Sequence, residues 1–128
     1  MRFTYILMFT ALLLTGCFQS GPKLGEVTGT VTLDGTPVSQ ADISFMPTKG
    51  GRTAMAQTDD QGNYTLIYSM KAYGGEVGEN LVRVSKLTAP KPGANEVQSI
   101  PARYNEQSEL TFTIKPGSNT YNIELTSK

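Results

Sequence analysis

Histidine and tryptophan are absent from this chain, and Cys17 is its single cysteine. Without histidine the chain has no Ser–His or Cys–His pair for nucleophilic catalysis and no histidine ligand for a metal ion. Without a second cysteine it has no intrachain disulfide and no cysteine-rich metal site. Any hydrolytic chemistry would have to use carboxylates alone. We therefore expect a protein that is not an enzyme and that uses no cofactor or metal.

An excess of charge of one sign is also missing. Eleven basic residues balance eleven acidic residues, which gives a formal net charge of +0, and both signs are scattered from Lys23 to Lys128 without runs. Bulk charge therefore attracts the chain neither to nucleic acid nor to an anionic surface, and no nucleic-acid partner is expected.

The amino-terminal segment has the organisation of an export signal. Arg2 is followed by a mostly apolar stretch over residues 3–14, which is shorter than the roughly 20 residues that a membrane-spanning helix needs. A charged start, a short apolar stretch and small residues before a cleavage point are typical of secretory signal peptides.

Leu14, Thr15, Gly16 and Cys17 close this segment and resemble the bacterial lipobox. The resemblance implies that the Cys17 sulfur receives a diacylglycerol, that residues 1–16 are removed and that the new amino group is acylated. Because each buried methylene contributes roughly 0.8 kcal/mol, the acyl chains would hold the exported protein at the cell membrane or outer membrane. The alternatives are an ordinary signal peptide with an incidental cysteine and a buried amino-terminal helix.

The chain after Cys17 divides into a tether and a domain. Residues 17–25 are small and polar apart from Phe18 and Leu24, and we predict a flexible tether there. Residues 26–128 alternate with a period of two and lack a helical i, i+3, i+4 pattern, which predicts an all-β domain. The predicted strands are 27–33, a short edge segment 36–38, 42–46, 54–58, 64–69, 81–86, 110–114 and 121–125.

About seven strands separated by turns predict a sandwich of two antiparallel sheets, as in immunoglobulin-like domains. Asp34-Gly35 is a hairpin turn sequence, and Gly62 is expected to have a positive φ in the turn 58–63. Residues 115–119 are a second strong turn sequence and are expected to join the last two strands. The inward side chains are predicted to be Val27, Val31, Leu33, Ile43, Phe45, Tyr64, Leu66, Tyr68, Val82 and Val84.

Five segments also carry a family resemblance, in chain order 27–38, 41–45, 58–66, 82–86 and 100–105. The first three resemble the carboxypeptidase regulatory-like domain, a transthyretin-like β-sandwich, and the last two resemble segments common in small bacterial lipoproteins built on it. The resemblance covers most of residues 26–125 and implies a non-catalytic accessory or adhesion module. Val77-Gly78 replaces the usual proline-glycine, and the resemblance brings no binding residues.

Two polar turns are candidates for ion or phosphate binding. Asp59 and Asp60 are the one adjacent carboxylate pair, with Thr58, Gln61 and Asn63 beside them. Calcium needs six to eight oxygen ligands, so a structural turn is the favoured interpretation. Residues 49–52 are glycine-rich and basic, but no helix follows them as a phosphate loop requires, and a solvated hairpin tip is expected.

The connections 70–80 and 87–100 are longer than usual and are the expected places for binding. Tyr68 and Tyr73 flank the first of them and Tyr104 follows the second, so an aromatic platform for a sugar or peptide is one hypothesis, and ordinary half-buried tyrosines are the other. The sequence favours a membrane-anchored structural or interaction module with an envelope protein or polysaccharide partner. The alternative is a lipoprotein that binds carbohydrate or a small ligand.

Overall fold

The computed structural model describes residues 21–128, which form fourteen strands, and the longer of these alternate apolar and polar side chains. This part contains one turn of 3-10 helix and no α-helix, which confirms the predicted all-β fold. The elements are β1 (Leu24–Leu33), β2 (Thr36–Pro37), β3 (Asp42–Pro47), β4 (Ala54–Gln57), β5 (Asn63–Thr65), β6 (Ile67–Ser69), β7 (Ala72–Tyr73), β8 (Gly75–Glu76), β9 (Gly78–Ser85), β10 (Leu87–Thr88), β11 (Val97–Gln98), the 3-10 turn (Ala102–Tyr104), β12 (Thr111–Ile114), β13 (Gly117–Thr120) and β14 (Ile123–Leu125).

The long strand β1 is the centre of the first sheet. It pairs antiparallel with β8, β5 and β2 and parallel with β13 and β14. The first sheet is therefore mixed, whereas we expected antiparallel pairing throughout. The turn between β1 and β2 follows the prediction, because Asp34 and Gly35 both have positive φ angles of 52° and 82°, as the tightest hairpin turns require.

The second sheet has the order β12-β9-β3-β4-β6-β7 and is antiparallel throughout. Ile43 lies opposite Val84 and Phe45 lies opposite Val82, and all four side chains are buried. The alternation predicted for these strands is thus confirmed.

Phe45 lies at the centre of the core between the two sheets. Its ring centroid is 6.5 Å from that of Tyr64, 6.2 Å from that of Phe112 and 6.2 Å from that of Tyr121. Phe112 and Tyr121 stack with centroids 4.3 Å apart. Because these residues come from both sheets, the aromatic cluster joins the sandwich across its interior.

The predicted strand 64–69 is divided between the two sheets. Its first half, β5, pairs with β1, and its second half, β6, pairs with β4. Leu66 lies between the two halves, is fully buried, and donates its N–H to the carbonyl of Val27 at 2.9 Å. The inward alternation of Tyr64 and Leu66 is retained because the change of sheet leaves the period of two intact.

The last two predicted strands do not form a hairpin with each other. The strand at 110–114 corresponds to β12 in the second sheet, whereas β13 and β14 both pair with β1 in the first sheet. Residues 115–119 therefore cross from one sheet to the other. Gly117, with a φ of 93°, begins β13 at the end of this crossing.

Three expected irregular segments are more ordered than the sequence indicates. Residues 70–80 contain β7, β8 and the start of β9, and residues 87–100 fold back as the two-stranded ribbon of β10 and β11. The predicted tether extended to residue 25, but Leu24 and Gly25 already belong to β1. Leu24 and Gly25 pair with β8, which lies about 50 residues away in the sequence, and a local pattern does not report such pairing. By contrast, β7 pairs with the preceding strand β6, and β10 and β11 pair with each other within their own segment.

Candidate functional site

Cys17 and the signal segment 1–16 lie outside the described residues. The structure does fix the point at which the chain enters the sandwich, because the Lys23 carbonyl accepts a hydrogen bond from the N–H of Val77 at 2.9 Å and Leu24 pairs with Glu76. Leu24 lies seven positions after Cys17 in the sequence. Since a fully extended chain spans at most about 3.6 Å per residue, β1 begins within about 25 Å of Cys17.

The carboxylate of Asp59 holds its own turn together. Its Oδ1 accepts hydrogen bonds from the N–H groups of Gln61 and Asn63, both at 2.9 Å. Gly62 donates its N–H to the Asp59 carbonyl at 3.0 Å and has the expected positive φ, 80°. Asp60 is exposed. These contacts are those of a structural turn.

The loop 48–53 already binds a carboxylate of this chain. The N–H of Arg52 donates to Glu76 Oε2 at 2.6 Å, and a Cβ on Gly51 would lie 2.3 Å from the same oxygen. The backbone of Gly51 and Arg52 therefore closes around Glu76, in the place where a phosphate cradle would need an open N–H. The loop joins β3 to β4, as a hairpin tip should.

The three candidate tyrosines do not form one platform. Tyr68 is half-buried and the Arg52 guanidinium lies 5.5 Å from its ring centre, while Tyr73 is 65% exposed. Tyr104 lies at the opposite end of the sandwich, where its hydroxyl contacts Thr126 just beyond β14. Only Tyr68 and Tyr73 are neighbours, on adjacent strands.

Side chains around Tyr104 fasten the carboxyl terminus. Arg103 Nη2 donates to the Thr126 hydroxyl at 2.9 Å and to its carbonyl. The Thr126 side chain and backbone N–H, followed by Arg103, lower the pKa of Tyr104 to about 8. Asp34 accepts from the N–H and hydroxyl of Ser127 at 3.0 and 2.5 Å, and these two hydrogen bonds lower the pKa of its carboxyl group.

An exposed apolar surface lies on the outer side of the second sheet. Met55 pairs with Ile67, and Ile67 pairs with Tyr73, so these residues are successive neighbours across β4, β6 and β7. Their exposed fractions are 58%, 46% and 65%. We call these three residues the apolar row. Residues this exposed contribute little to the core, so a set of them on adjacent paired strands indicates a surface available for binding.

A shallow cavity of about 490 Å³ adjoins Met55 and Ile67 of the apolar row. Tyr73 borders a separate cavity of about 220 Å³, beside Thr28 and Thr65. In the larger cavity, Met55, Ile67 and Met70 supply the apolar wall, and Arg52, Asp42 and Gln57 are among the polar residues. The sequence carried one signal for this surface, because the predicted alternation puts Ile67 on the outward face together with Thr65 and Ser69. The neighbours of Ile67 on β4 and β7 were not predicted, since they depend on the sheet order.

Comparison with known proteins gives few matches. No family model matches the chain, and no curated protein matches it. Among solved structures, the chain is similar to a 9R-lipoxygenase from Cyanothece PCC8801, with 15% identity over 81% of this chain and 16% of that chain, at a TM-score of 0.39. This similarity is too low to indicate a shared fold or function.

Two further observations concern residues 21–128 alone. This part of the chain holds no cluster of three or more His, Cys, Asp or Glu side chains placed to bind a metal ion. It also includes no helix with the length and apolar character needed to cross a membrane.

Proposed function

We propose that this protein is an exported lipoprotein, anchored to the cell membrane or outer membrane by acylation of Cys17, and that its β-sandwich is a non-enzymatic interaction or structural module of the bacterial envelope. The tetrapeptide Leu14 to Cys17 supports the anchor. The apolar row of Met55, Ile67 and Tyr73 supports the interaction role, because it is an exposed surface that the core does not need.

The chemistry of the surface favours a protein partner. The row offers thioether, aliphatic and aromatic side chains, and the polar groups of Arg52, Asp42 and Gln57 surround the adjoining cavity. An apolar centre with a polar rim is the usual composition of a protein interface. Methionine side chains also adapt to irregular surfaces.

A carbohydrate or small-ligand partner is the second candidate, and the exposed ring of Tyr73 is the observation that favours it. Sugars stack on open aromatic faces. However, Arg52 lies over the ring of Tyr68, so the two adjacent tyrosines do not offer a pair of open faces. This arrangement makes the protein partner the preferred one.

Acylation is tested by growing cells with labelled fatty acid. We expect the label in the parent protein and none in the Cys17→Ser variant. Gly16→Ala is the matched control, because it keeps a small residue before the cysteine. Incorporation of label into Cys17→Ser would contradict the anchor.

The interaction role is tested by photo-crosslinking in intact cells, with the crosslinking residue at position 57 beside the apolar row. We expect one protein adduct, which is lost when Met55→Thr and Ile67→Thr are combined and retained in the Thr111→Ser, Thr113→Ser control on the same sheet. Recovery of polysaccharide alone would favour the second candidate. Absence of any adduct would contradict the interaction role of this surface.

A further inference from the structure

One end of the sandwich is assembled from segments that are far apart in the sequence. Glu76 pairs with Leu24, and its carboxylate accepts a hydrogen bond from the N–H of Arg52. The loop 48–53 therefore lies beside the start of β1. A Cβ on Gly25 would lie 2.1 Å from the carbonyl oxygen of Lys115, so the turn at 115–116 lies there as well.

The turn between β6 and β7 belongs to the same end. Strand β6 runs antiparallel to β4, so its carboxyl end lies beside the amino end of β4, where the loop 48–53 leads in. Met70 and Lys71 form the tip of this turn, and Met70 borders the same cavity as Arg52. We call these segments together the tether end, because the chain enters the sandwich there from Cys17.

Positive charge is concentrated at the tether end. It carries five cations, all exposed, and three carboxylates, whereas the remaining described residues carry five cations and eight carboxylates. The carboxylate of Glu76 already accepts a hydrogen bond from the backbone N–H of Arg52. The cations of the tether end are Lys23, Lys49, Arg52, Lys71 and Lys115, and its carboxylates are Glu26, Glu76 and Glu79.

Met70 projects from this charged surface with its side chain fully exposed, at 104% of the reference area. A side chain this exposed makes no contribution to the packing of the core. An apolar side chain beside Lys71 combines the two properties that favour a membrane interface, since the thioether can enter the acyl boundary while the ammonium group contacts phosphate.

We propose that the tether end binds the headgroups of anionic phospholipids in the membrane to which the chain is anchored, with Met70 at the interface. The inference rests on the proposed function, because the lipid on Cys17 supplies proximity. A span of at most about 25 Å keeps the domain near the bilayer, and at the resulting high effective concentration a few cations suffice to orient it.

The experiment uses the full-length protein purified from membranes and reconstituted into two kinds of vesicle, phosphatidylcholine alone and phosphatidylcholine with phosphatidylglycerol. A polarity-sensitive maleimide dye is attached in the Met70→Cys variant and, as a control at the opposite end, in Asp60→Cys. We expect emission at position 70 to be about twofold or more brighter on the anionic vesicles, because the dye enters a less polar layer. The emission at position 60 should not change.

The charge requirement is tested in the Met70→Cys background. Combining Lys49→Gln, Lys71→Gln and Lys115→Gln should remove the difference between the vesicles, while the control set Lys86→Gln, Lys91→Gln and Lys128→Gln should retain it. Three results would overturn the proposal: equal emission at position 70 on both vesicles, a difference that persists in the Lys49, Lys71, Lys115 set, or a difference that is lost in the control set.

Failure of the anchor itself has a separate signature. An acylated Cys17 does not react with maleimide, so the parent protein should remain unlabelled. Labelling of the parent would contradict the lipid anchor. The vesicle comparison would then be made in the Cys17→Ser background. There, brighter emission at position 70 and unchanged emission at position 60 would still report headgroup binding.

Discussion

Buried polar side chains set the local geometry at both ends of the sandwich. The hydroxyl of Thr58 donates to the Val38 carbonyl at 2.6 Å and accepts from the Ala41 N–H at 2.8 Å. At the tether end, the side-chain N–H₂ of Asn80 donates to the carbonyls of Glu76 and Gly78, both at 3.0 Å. Each of these side chains forms hydrogen bonds with backbone groups that the strand pairing leaves without a partner. Each position therefore requires a polar side chain.

Replacement of Asn80 by aspartate should be strongly destabilising. Asn80 is 1% exposed and its Oδ1 has no hydrogen-bond partner, so the Asn80→Asp variant would bury a carboxylate against two carbonyl oxygens. We expect urea unfolding at pH 7 to show a loss of about 3 kcal/mol or more. The loss should shrink in acid, where the carboxyl group is protonated and can donate.

The matched control for this change is Asn122→Asp. Oδ1 of Asn122 accepts a hydrogen bond from the Thr30 N–H at 3.2 Å, and a carboxylate oxygen can accept it equally well. If both variants lost a similar free energy of unfolding, burial of the carboxylate among carbonyl oxygens would not be the cause of the destabilisation.

Tyr104 should ionise about two pH units below an ordinary tyrosine. Hydrogen bonds from Thr126, followed by Arg103, favour the phenolate and lower the pKa of Tyr104 from 10.0 to about 8. Because the folded pKa is the lower one, the contribution to stability is fully present above the unfolded pKa and is lost as the pH falls through about 8. Between pH 8 and 10 the free energy of unfolding of the parent should therefore rise relative to that of Tyr104→Phe.

Absorbance at 295 nm checks the titration directly. A component with a midpoint near pH 8 should be present in the parent and missing in Tyr104→Phe. Burial raises the pKa of Tyr64 and of Tyr121, so these residues do not titrate in that range. A first midpoint at or above pH 9.5 would contradict the assignment.

At the scale of elements, β1 is the strand on which the first sheet depends. It accepts partners on both edges, and Tyr121 between β13 and β14 donates its N–H to the Thr28 carbonyl at 2.8 Å. At Gly29 the backbone of the last strands approaches so closely that a Cβ would lie 1.9 Å from the Tyr121 carbonyl oxygen. The absence of a side chain at this position permits the parallel pairing.

The Gly29→Ala variant should consequently lose stability. The added methyl group must push β1 away from residue 121, and we expect a loss of about 3 kcal/mol or more in urea unfolding. Gly21→Ala is the control, since no atom lies within 4 Å of a Cβ placed there. Equal free energies of unfolding in the two variants would show that β1 can move away from Tyr121 without a loss of stability.

Much of the element pattern was predictable, and its exceptions share one cause. Period-two alternation located most strands, and turn chemistry located Asp34-Gly35 and Gly62, because both signals act within a few residues. The division of strand 64–69 and the crossing at 115–119 depend on which sheet accepts each segment. The apolar row was missed for the same reason, since Met55 and Tyr73 become neighbours of Ile67 only through pairing.

At the scale of the whole molecule, the two sheets should unfold together. Phe45 is fully buried and its ring lies near aromatic rings of both sheets. The Phe45→Ala variant should lose about 3–5 kcal/mol while the unfolding transition remains single and its dependence on urea is unchanged. Two separate transitions, by fluorescence and circular dichroism, would show that the sheets are independent.

The sequence by itself determined the period of the strands, the turns that follow from local residue chemistry, and the tetrapeptide on which the proposed acylation of Cys17 rests. These features depend on neighbours in the chain. The tertiary structure decided the parallel partners of β1, the apolar row and the charged tether end. Those features join residues as distant in the sequence as Lys23 and Lys115. The cations are scattered along a chain of zero net charge. They lie close together only because the sheet order brings their segments to one end of the sandwich.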